Sequence, residues 1–487
     1  MSFGGLDIGT SGCKCTLFNN DGKQLAVAYR PYQAKRSMGL HEIDVLVIWQ
    51  AAKEVIAEAA RVAGDPPEAI SVSSFGETCA LLDINDQPVI PAMLYTDPRG
   101  DEEAAQLAKN PGDFYIYGIS GHPPDFTYTM PKLMWANKHL AANMRQVTTI
   151  LPMASFIIYR LTGEKVSDPS LASRTMMLDV KKLQWSPELL SLAGISVKMM
   201  PEVVEIGTIA GSVKKVLADE LGIPETMKII VGAHDQVVSA IGAGVLDAGA
   251  AVNSSGTVEC ITPVFEKVAG PDTFFEGKFP TVPMLKDKYV TYTTIFSGGL
   301  LLQWFRENFI KGTGDNSINK LDSAGMENPT GILVQPHFAG AGSPYYDPDS
   351  RGAMVGLTLE YTAADIYKAL QEGICYESKL NLELLAGAGI KIQSLRIVGG
   401  GEKSNRWNQM KADMYGIPCT TLKAGEAGAT GSAMLAGTAL GKYANLEQAV
   451  STLVEEKETY LPRREFTDAY DSLFSRYKKV YKAVKNI

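Results

Sequence analysis

Two segments far apart in the chain follow one plan. In Asp7-Ile8-Gly9-Thr10-Ser11-Gly12-Cys13-Lys14 a carboxylate ends an apolar strand, a turn of glycine and hydroxyl residues follows, and a second strand begins. The glycine and hydroxyl content of that strand-turn-strand returns in Ala250-Ala251-Val252-Asn253-Ser254-Ser255-Gly256-Thr257-Val258-Glu259. Such a repeat belongs to a chain of two related halves. The length agrees, since 487 residues are too many for one ordinary core and too few for a many-module assembly. Two domains are expected, residues 1–245 and 246–487, divided after residues 232–244, where a strand end leads into a small-residue helix.

The first half opens β, β, β, α, β. Residues 3–8, 13–18 and 24–29 run apolar or alternate, separated by the glycine turn and by Asn20-Asp21-Gly22, a hairpin signal because glycine accepts positive φ without a Cβ clash. Residues 45–62 carry helical apolar spacing, and residues 69–74 and 80–84 return to strand. This order predicts a mixed sheet crossed by a helix and not a repeated βαβ unit. Residues 312–317 and 338–349 read as surface connections, and residues 467–484 as one packed terminal helix.

Charge and cysteine usage exclude several function classes. Lys and Arg number 46 against 54 Asp and Glu, a net charge of -8 with no long basic run, which argues against a nucleic-acid binder. No apolar run reaches bilayer length and residues 1–10 lack a signal-type pattern, so neither a membrane nor secretion is expected and the cytoplasm is the expected location. The six cysteines form no CxxC pair, and five histidines show no HxH or HExxH spacing, which argues against a disulfide framework or a histidine-based metal site.

Three places can carry chemistry. The turn at Gly9 to Gly12 can aim backbone N–H groups and hydroxyls at phosphate oxygens, although a plain hairpin uses similar residues. Its second copy at Ser254 to Thr257 would clamp a polyphosphate from the other side. In Gly232-Ala233-His234-Asp235-Gln236 a carboxylate stands where a strand gives way to a helix. There it can take a proton from a hydroxyl, or merely cap the helix. Val398-Gly399-Gly400-Gly401-Glu402-Lys403-Ser404-Asn405 fails both the Walker and the dinucleotide patterns, yet its glycines could let a planar base lie against the backbone. Residues 425–431 offer a second close approach of that kind, or serve helix packing alone.

Together, and in this order, these stretches resemble the FGGY family of carbohydrate kinases over nearly the whole chain. The resemblance runs through residues 7–14, 73–83, Pro131-Lys132-Leu133-Met134-Trp135, 232–236, Ser297-Gly298-Gly299 to Trp304, 351–357 and 399–405. It implies an α/β, two-domain actin-like ATPase fold of ribonuclease-H-like type, with a duplicated mixed β-sheet core around an interdomain ATP cleft. It makes Asp235 the general base and Asp7, with Asp235, the magnesium-side carboxylates. Thr10, Ser11, Lys14 and Thr257 would contact phosphates, Gly299 and Gln303 the nucleotide side, and Gly400, Gly401, Ser404 and Asn405 the adenosine. The N-terminal domain would then bind sugar and catalyse, and the C-terminal domain would bind nucleotide.

The substrate pattern is mixed. In Ser74-Phe75-Gly76-Glu77-Thr78, xylulose kinases show Met-His-Gly and glycerol kinases an Arg-Glu pair, so Glu77 resembles the glycerol enzymes while Gly76 departs from them. Pro344-Tyr345-Tyr346-Asp347-Pro348 leans the same way, whereas residues 298–303 and 399–404 resemble the pentulose branch. Gly76, Glu77, Asp235 and Gln236 suit a substrate rich in hydroxyls, since each carboxylate accepts several hydrogen bonds. His122, Asp125, Phe126 and Tyr128 could add to them or pack only on one another. The expected activity is ATP- and magnesium-dependent phosphorylation of a ketopentose such as xylulose. Glycerol or another short polyol is the alternative substrate, and a non-catalytic actin-like sensor or assembly protein the alternative class. The expected partner is a small sugar or polyol, with a second copy of the chain admitted as a homodimer partner.

Overall fold

Residues 2–37, 39–267, 271–310, 321–322, 327–423 and 426–486 are described by a computed structural model. Residues 312–317 and Gly425, which the sequence reading included, lie outside them.

The opening strands fall where alternation puts them. Ser2–Ile8 pairs antiparallel with Gly12–Phe18, which pairs antiparallel with Gln24–Pro31. Gly22 takes φ 79° in the connecting turn. Helix Val45–Ala63 follows, capped by the Asp44 carboxylate accepting from the Leu46 N–H and ended by Gly64 at φ 62°. It buries Val45, Ile48, Trp49, Ala52, Val55, Ile56 and Ala59, a stripe at helical spacing. Pro67–Ser74 then lies parallel to the first strand, Lys228–His234 lies parallel to it in turn, and Ile209–Ser212 closes the edge antiparallel.

The second half repeats that order strand for strand. Ala250–Ser255 and Glu259–Phe265 form the hairpin, and Thr293–Ile295 adds antiparallel beyond it. On the other side, Ser394–Val398 and Cys419–Leu422 run parallel and Glu456–Tyr460 closes antiparallel. Both sheets therefore share a six-strand plan of antiparallel edge, two parallel strands, first strand and two antiparallel strands, to which the second, eight-stranded sheet adds Val282–Pro283 and Tyr289–Val290. This is the duplicated mixed sheet that the paired glycine turns predict.

The chain forms two compact units. One contains Met1–Gly244, Pro280–Val290 and Glu426–Val454; the other contains Val245–Phe279, Thr291–Gly425 and Glu455–Ile487. In the first, helix Ala427–Ala439 packs on the opening strand so closely that a Cβ added at Gly5 would lie 2.1 Å from Ser432 Cβ. Apolar side chains of the opening strands, of helix Val45–Ala63 and of Lys228–His234 share one core.

Two expectations are corrected. Residues 338–349 are not a surface connection throughout, because Ala341 and Ser343 are buried and the Ser343 N–H donates to the Thr294 carbonyl at 3.0 Å. The terminal helix is two helices, Arg464–Tyr477 and Val480–Val484, broken at the Lys478-Lys479 step. Among the described residues, no helix is long and apolar enough to cross a membrane.

Candidate active site

Register brings the acidic residues of the first unit to neighbouring strand ends. Asp7 is paired across the ladder with Lys14 on one side and Ser73 on the other, and Ser73 Oγ donates to Asp7 Oδ1 at 3.1 Å. One strand further on, Lys228–His234 ends and helix Asp235–Gly242 begins. His234 holds the N-cap position without a capping side-chain bond, while Asp235 Oδ1 accepts from the next N–H, that of Gln236, at 2.6 Å. Asp235 therefore does not cap the helix in the ordinary way, which would reach the second or third N–H.

Electrostatics set these two carboxylates apart. Burial, reinforced by the Asp235 charge, pushes the Asp7 carboxyl up to about 6. Burial also pushes Asp235 up to about 6 against the Gln236 N–H and the Arg174 charge, although 41% of its side-chain surface stays open. Tyr95 is near enough that, after burial, the Asp235 charge raises its phenol further.

Lys14 reaches across to Glu426, with Nζ 2.6 Å from Oε1. Beside that pair lies a cavity of about 240 Å³ lined by Asp7, Lys14, Thr16, Ser239, Glu426 and Ser432. Thr10 and Ser11 stand in the turn itself, which is tightened by the Gly9 N–H donating to the Gly12 carbonyl at 2.9 Å.

A buried polar group surrounds Gly76 and Glu77. Glu77 sits at φ 63°, uncommon for a residue with a side chain, and its carboxylate pairs with the Arg174 guanidinium. Gly76 makes room for that arginine, since a Cβ there would lie 3.0 Å from Arg174 Cγ and from His234 Cδ2. An arginine thus stands beside Glu77 even though residue 76 is glycine. Arg174 also lies over the Tyr128 ring at 4.9 Å and has Nη1 3.5 Å from His122 Nδ1. Burial drives the His122 ring down to about 3, so it is neutral at physiological pH. His234 is held well below its ordinary value by burial and then by the Arg174 charge, and its Nε2 lies 3.3 Å from Asp235 Oδ1. Ser170 fixes the strand end by accepting the His234 N–H at 2.8 Å, and its own hydroxyl donates to the buried Asp168.

His122 and Tyr128 therefore belong to this cluster, whereas Asp125 folds back to accept the Thr127 N–H at 2.8 Å and Phe126 packs under the Lys132 ammonium. Arg174, Asp168 and Tyr95 were not singled out from sequence. The available signal was thin: an arginine set between the small residues Ala172-Ser173 and Thr175.

In the second unit the nucleotide-side candidates meet around one hairpin. The Gly299 N–H donates to the Gly256 carbonyl at 2.8 Å and the Leu300 N–H to that of Thr257 at 3.2 Å, docking the start of helix Gly298–Phe309 on the turn. Gly399, at φ 90°, would place a Cβ 2.8 Å from the Ser255 carbonyl oxygen, and Gly401 one 2.2 Å from Ser255 Oγ, while a Cβ at Gly400 would meet open space. Ser404 caps helix Asn405–Tyr415 by accepting the Trp407 N–H, and Asn405 Oδ1 accepts from Tyr460 at 3.0 Å. Gln303 does not join them: its amide donates to Glu307 along its own exposed helix face at 2.7 Å. In the run after Gly425, one glycine serves helix packing. Gly431 packs helix Ala427–Ala439 onto helix Asp235–Gly242, where its Cβ would lie 2.1 Å from the Val238 carbonyl.

Comparison with known proteins agrees with this duplicated fold. The model of the FGGY family of carbohydrate kinases, N-terminal domain, matches residues 2–242, and that of the C-terminal domain matches residues 251–440. Xylulose kinase of Bacillus subtilis is 27% identical over 99% of this chain and 97% of its own. Autoinducer-2 kinase of Klebsiella pneumoniae is also 27% identical, over 98% of this chain and 93% of its own. The solved structure of ligand-bound xylulose kinase from Lactobacillus acidophilus superposes with a TM-score of 0.92 at 25% identity, covering 99% of this chain and 98% of that one. The fold is the actin-like ATPase type, and the protein is a carbohydrate kinase, a phosphotransferase with an alcohol group as acceptor. It belongs to the FGGY family.

Proposed function

We propose that this enzyme transfers the terminal phosphoryl group of ATP to a hydroxyl of a small sugar, with a ketopentose such as xylulose the foremost substrate and Asp235 the general base. The observation that carries the reading is Asp235 itself: a recessed carboxylate at a strand end, pushed up to about 6 and facing a neutral histidine. Near pH 7 it is ionised, yet basic enough to accept a proton in the transition state. The sugar hydroxyl gives its proton to Asp235, its oxygen bonds to the γ-phosphorus, and the bond to the β-phosphate oxygen breaks with its electron pair leaving on ADP. Full-length similarity to a xylulose kinase of Bacillus subtilis supports the pentulose choice.

Gly76, Glu77 and Gln236 orient the sugar in the unit that holds Asp235. Thr10, Ser11 and Lys14 bind phosphate oxygens there, and Thr257 does so in the second unit. Gly299, Gly400, Gly401, Ser404 and Asn405 accommodate the nucleotide, and Gln303, expected with them, is left out because its amide is engaged with Glu307. Asp7 and Asp235 fit a magnesium ion, which keeps several waters and needs only one or two carboxylates besides phosphate. Among the described residues, no group of three or more His, Cys, Asp or Glu offers a fuller ligand set. When bound, the ion neutralises charge on the transferring phosphoryl group. The reaction is placed in the cytoplasm.

One observation favours a second substrate class. The Glu77–Arg174 pair rebuilds, from two segments, the Arg-Glu pairing that resembles glycerol kinases, and so suits glycerol or another short polyol. Coupled ADP-release assays over pentuloses, tetritols and glycerol decide between them. The highest kcat/KM is expected on xylulose. A glycerol optimum selects the second reading, and no turnover on any of them contradicts both.

A further inference from the structure

Beneath the hairpin of the second unit lies an ion pair that the proposed chemistry does not use. Lys411, on helix Asn405–Tyr415, and Glu259, at the start of the second hairpin strand, have no exposed side-chain surface, and Nζ lies 2.7 Å from Oε1. The ammonium also reaches Asn253 Oδ1 at 2.8 Å and Ser255 Oγ at 2.9 Å, so its three protons are all used. The Ser255 hydroxyl donates to Glu259 Oε2 at 2.7 Å, and the Asn253 amide donates to Glu259 Oε1 at 2.8 Å. The Trp407 ring stands 4.3 Å from the ammonium. The members of this network come from three elements, the two hairpin strands and this helix.

Its place is what gives it meaning. Ser255 touches the glycine run at Gly399 and Gly401, and a Cβ at Gly298 would lie 2.5 Å from the Glu259 N atom. The hairpin turn, the start of helix Gly298–Phe309 and the run from Gly399 to Asn405 thus all bear on the segment from Ser255 to Glu259. Lys411 ties that segment to the helix that Ser404 caps and Asn405 begins. A buried charge pair gains little net stability over apolar residues of the same volume, but it fixes one geometry, because any displacement leaves a charge unpaired.

We propose that Lys411 and Glu259 are positioning residues for the nucleotide, holding the hairpin turn and the start of helix Asn405–Tyr415 in the one relative placement that accepts it. The inference rests on the nucleotide reading of this unit, and three proteins separate the two. Wild type, Glu259→Gln and the more severe Lys411→Met are titrated with ADP by calorimetry at a temperature where each is fully folded. KM for ATP and KM for sugar are measured alongside. The expected result is an ADP affinity and an ATP KM worse by about threefold in Glu259→Gln and about tenfold in Lys411→Met, with sugar KM and kcat within about twofold of wild type. If Lys411→Met does not fold, Glu259→Gln decides. The inference falls alone if wild type binds ADP and the folded variants bind it equally well, or if nucleotide and sugar constants weaken together. A wild type that binds no ADP overturns the nucleotide reading and the inference with it.

Discussion

Asp235 owes its chemistry to the place where strand Lys228–His234 stops. At the junction it is desolvated, with Arg174 pulling its proton affinity down less than burial pushes it up. The sign for activity follows: a base must be ionised, so kcat/KM for the sugar is expected to hold above about pH 6 and fall about tenfold per pH unit below it. A stopped coupled assay across pH 5 to about 8 checks this, and a flat profile would contradict it. Because Asp7 also rises to about 6, by burial first and by the Asp235 charge second, the inflection belongs to both acids together. Glu77 and Arg174 behave differently, since each is buried with its partner. Arg174→Met leaves the Glu77 charge alone in the protein and is expected to cost about 3–5 kcal/mol of unfolding free energy. Denaturant melts should show that loss and show much of it recovered in Glu77→Gln/Arg174→Met.

At the scale of elements, the helix that carries the proposed base Asp235 rests on a contact that two glycines permit. Gly242 and Gly431 face each other across helices Asp235–Gly242 and Ala427–Ala439, where a Cβ at Gly242 would fall 2.5 Å from the Gly431 N atom. Gly431→Ala must part the helices, an overpacking expected to cost about 1–3 kcal/mol and to lower kcat more than sugar affinity, read from melting curves and steady-state kinetics. This contact explains part of what was legible. Strand ends, glycine turns and the helix start at Asp235 are local patterns, and each fell where its period or turn residue indicated. Arg174 and Tyr95 reach the site only through tertiary approach, which no spacing in the sequence encodes. The small residues after Glu426 were visible, but whether they received a base or a helix depended on which element folded against them.

For the whole molecule, duplication was readable because both hairpins carry the same turn chemistry, and the two sheets share a six-strand plan that the second extends by two strands. The interleaving of the chain was not readable. Residues 280–290 and 426–454 come from the second half of the sequence yet fold into the unit that holds Asp235. Helix Ala427–Ala439 covers the opening strand there, and its burial is non-local, so no nearby pattern marks it. A fragment of residues 1–244 alone is therefore expected to lack a cooperative thermal transition and to bind a hydrophobic dye, as checked by calorimetry and fluorescence; a sharp melt with native near-ultraviolet circular dichroism would contradict that packing account.

The most direct test of the central claim is the rate of phosphoryl transfer in Asp235→Ala, measured in a single turnover with saturating ATP, magnesium and the best sugar of the panel. The predicted result is a rate about 10²- to 10⁴-fold below wild type, with sugar and nucleotide still bound. A rate near that of the unaltered enzyme would contradict it.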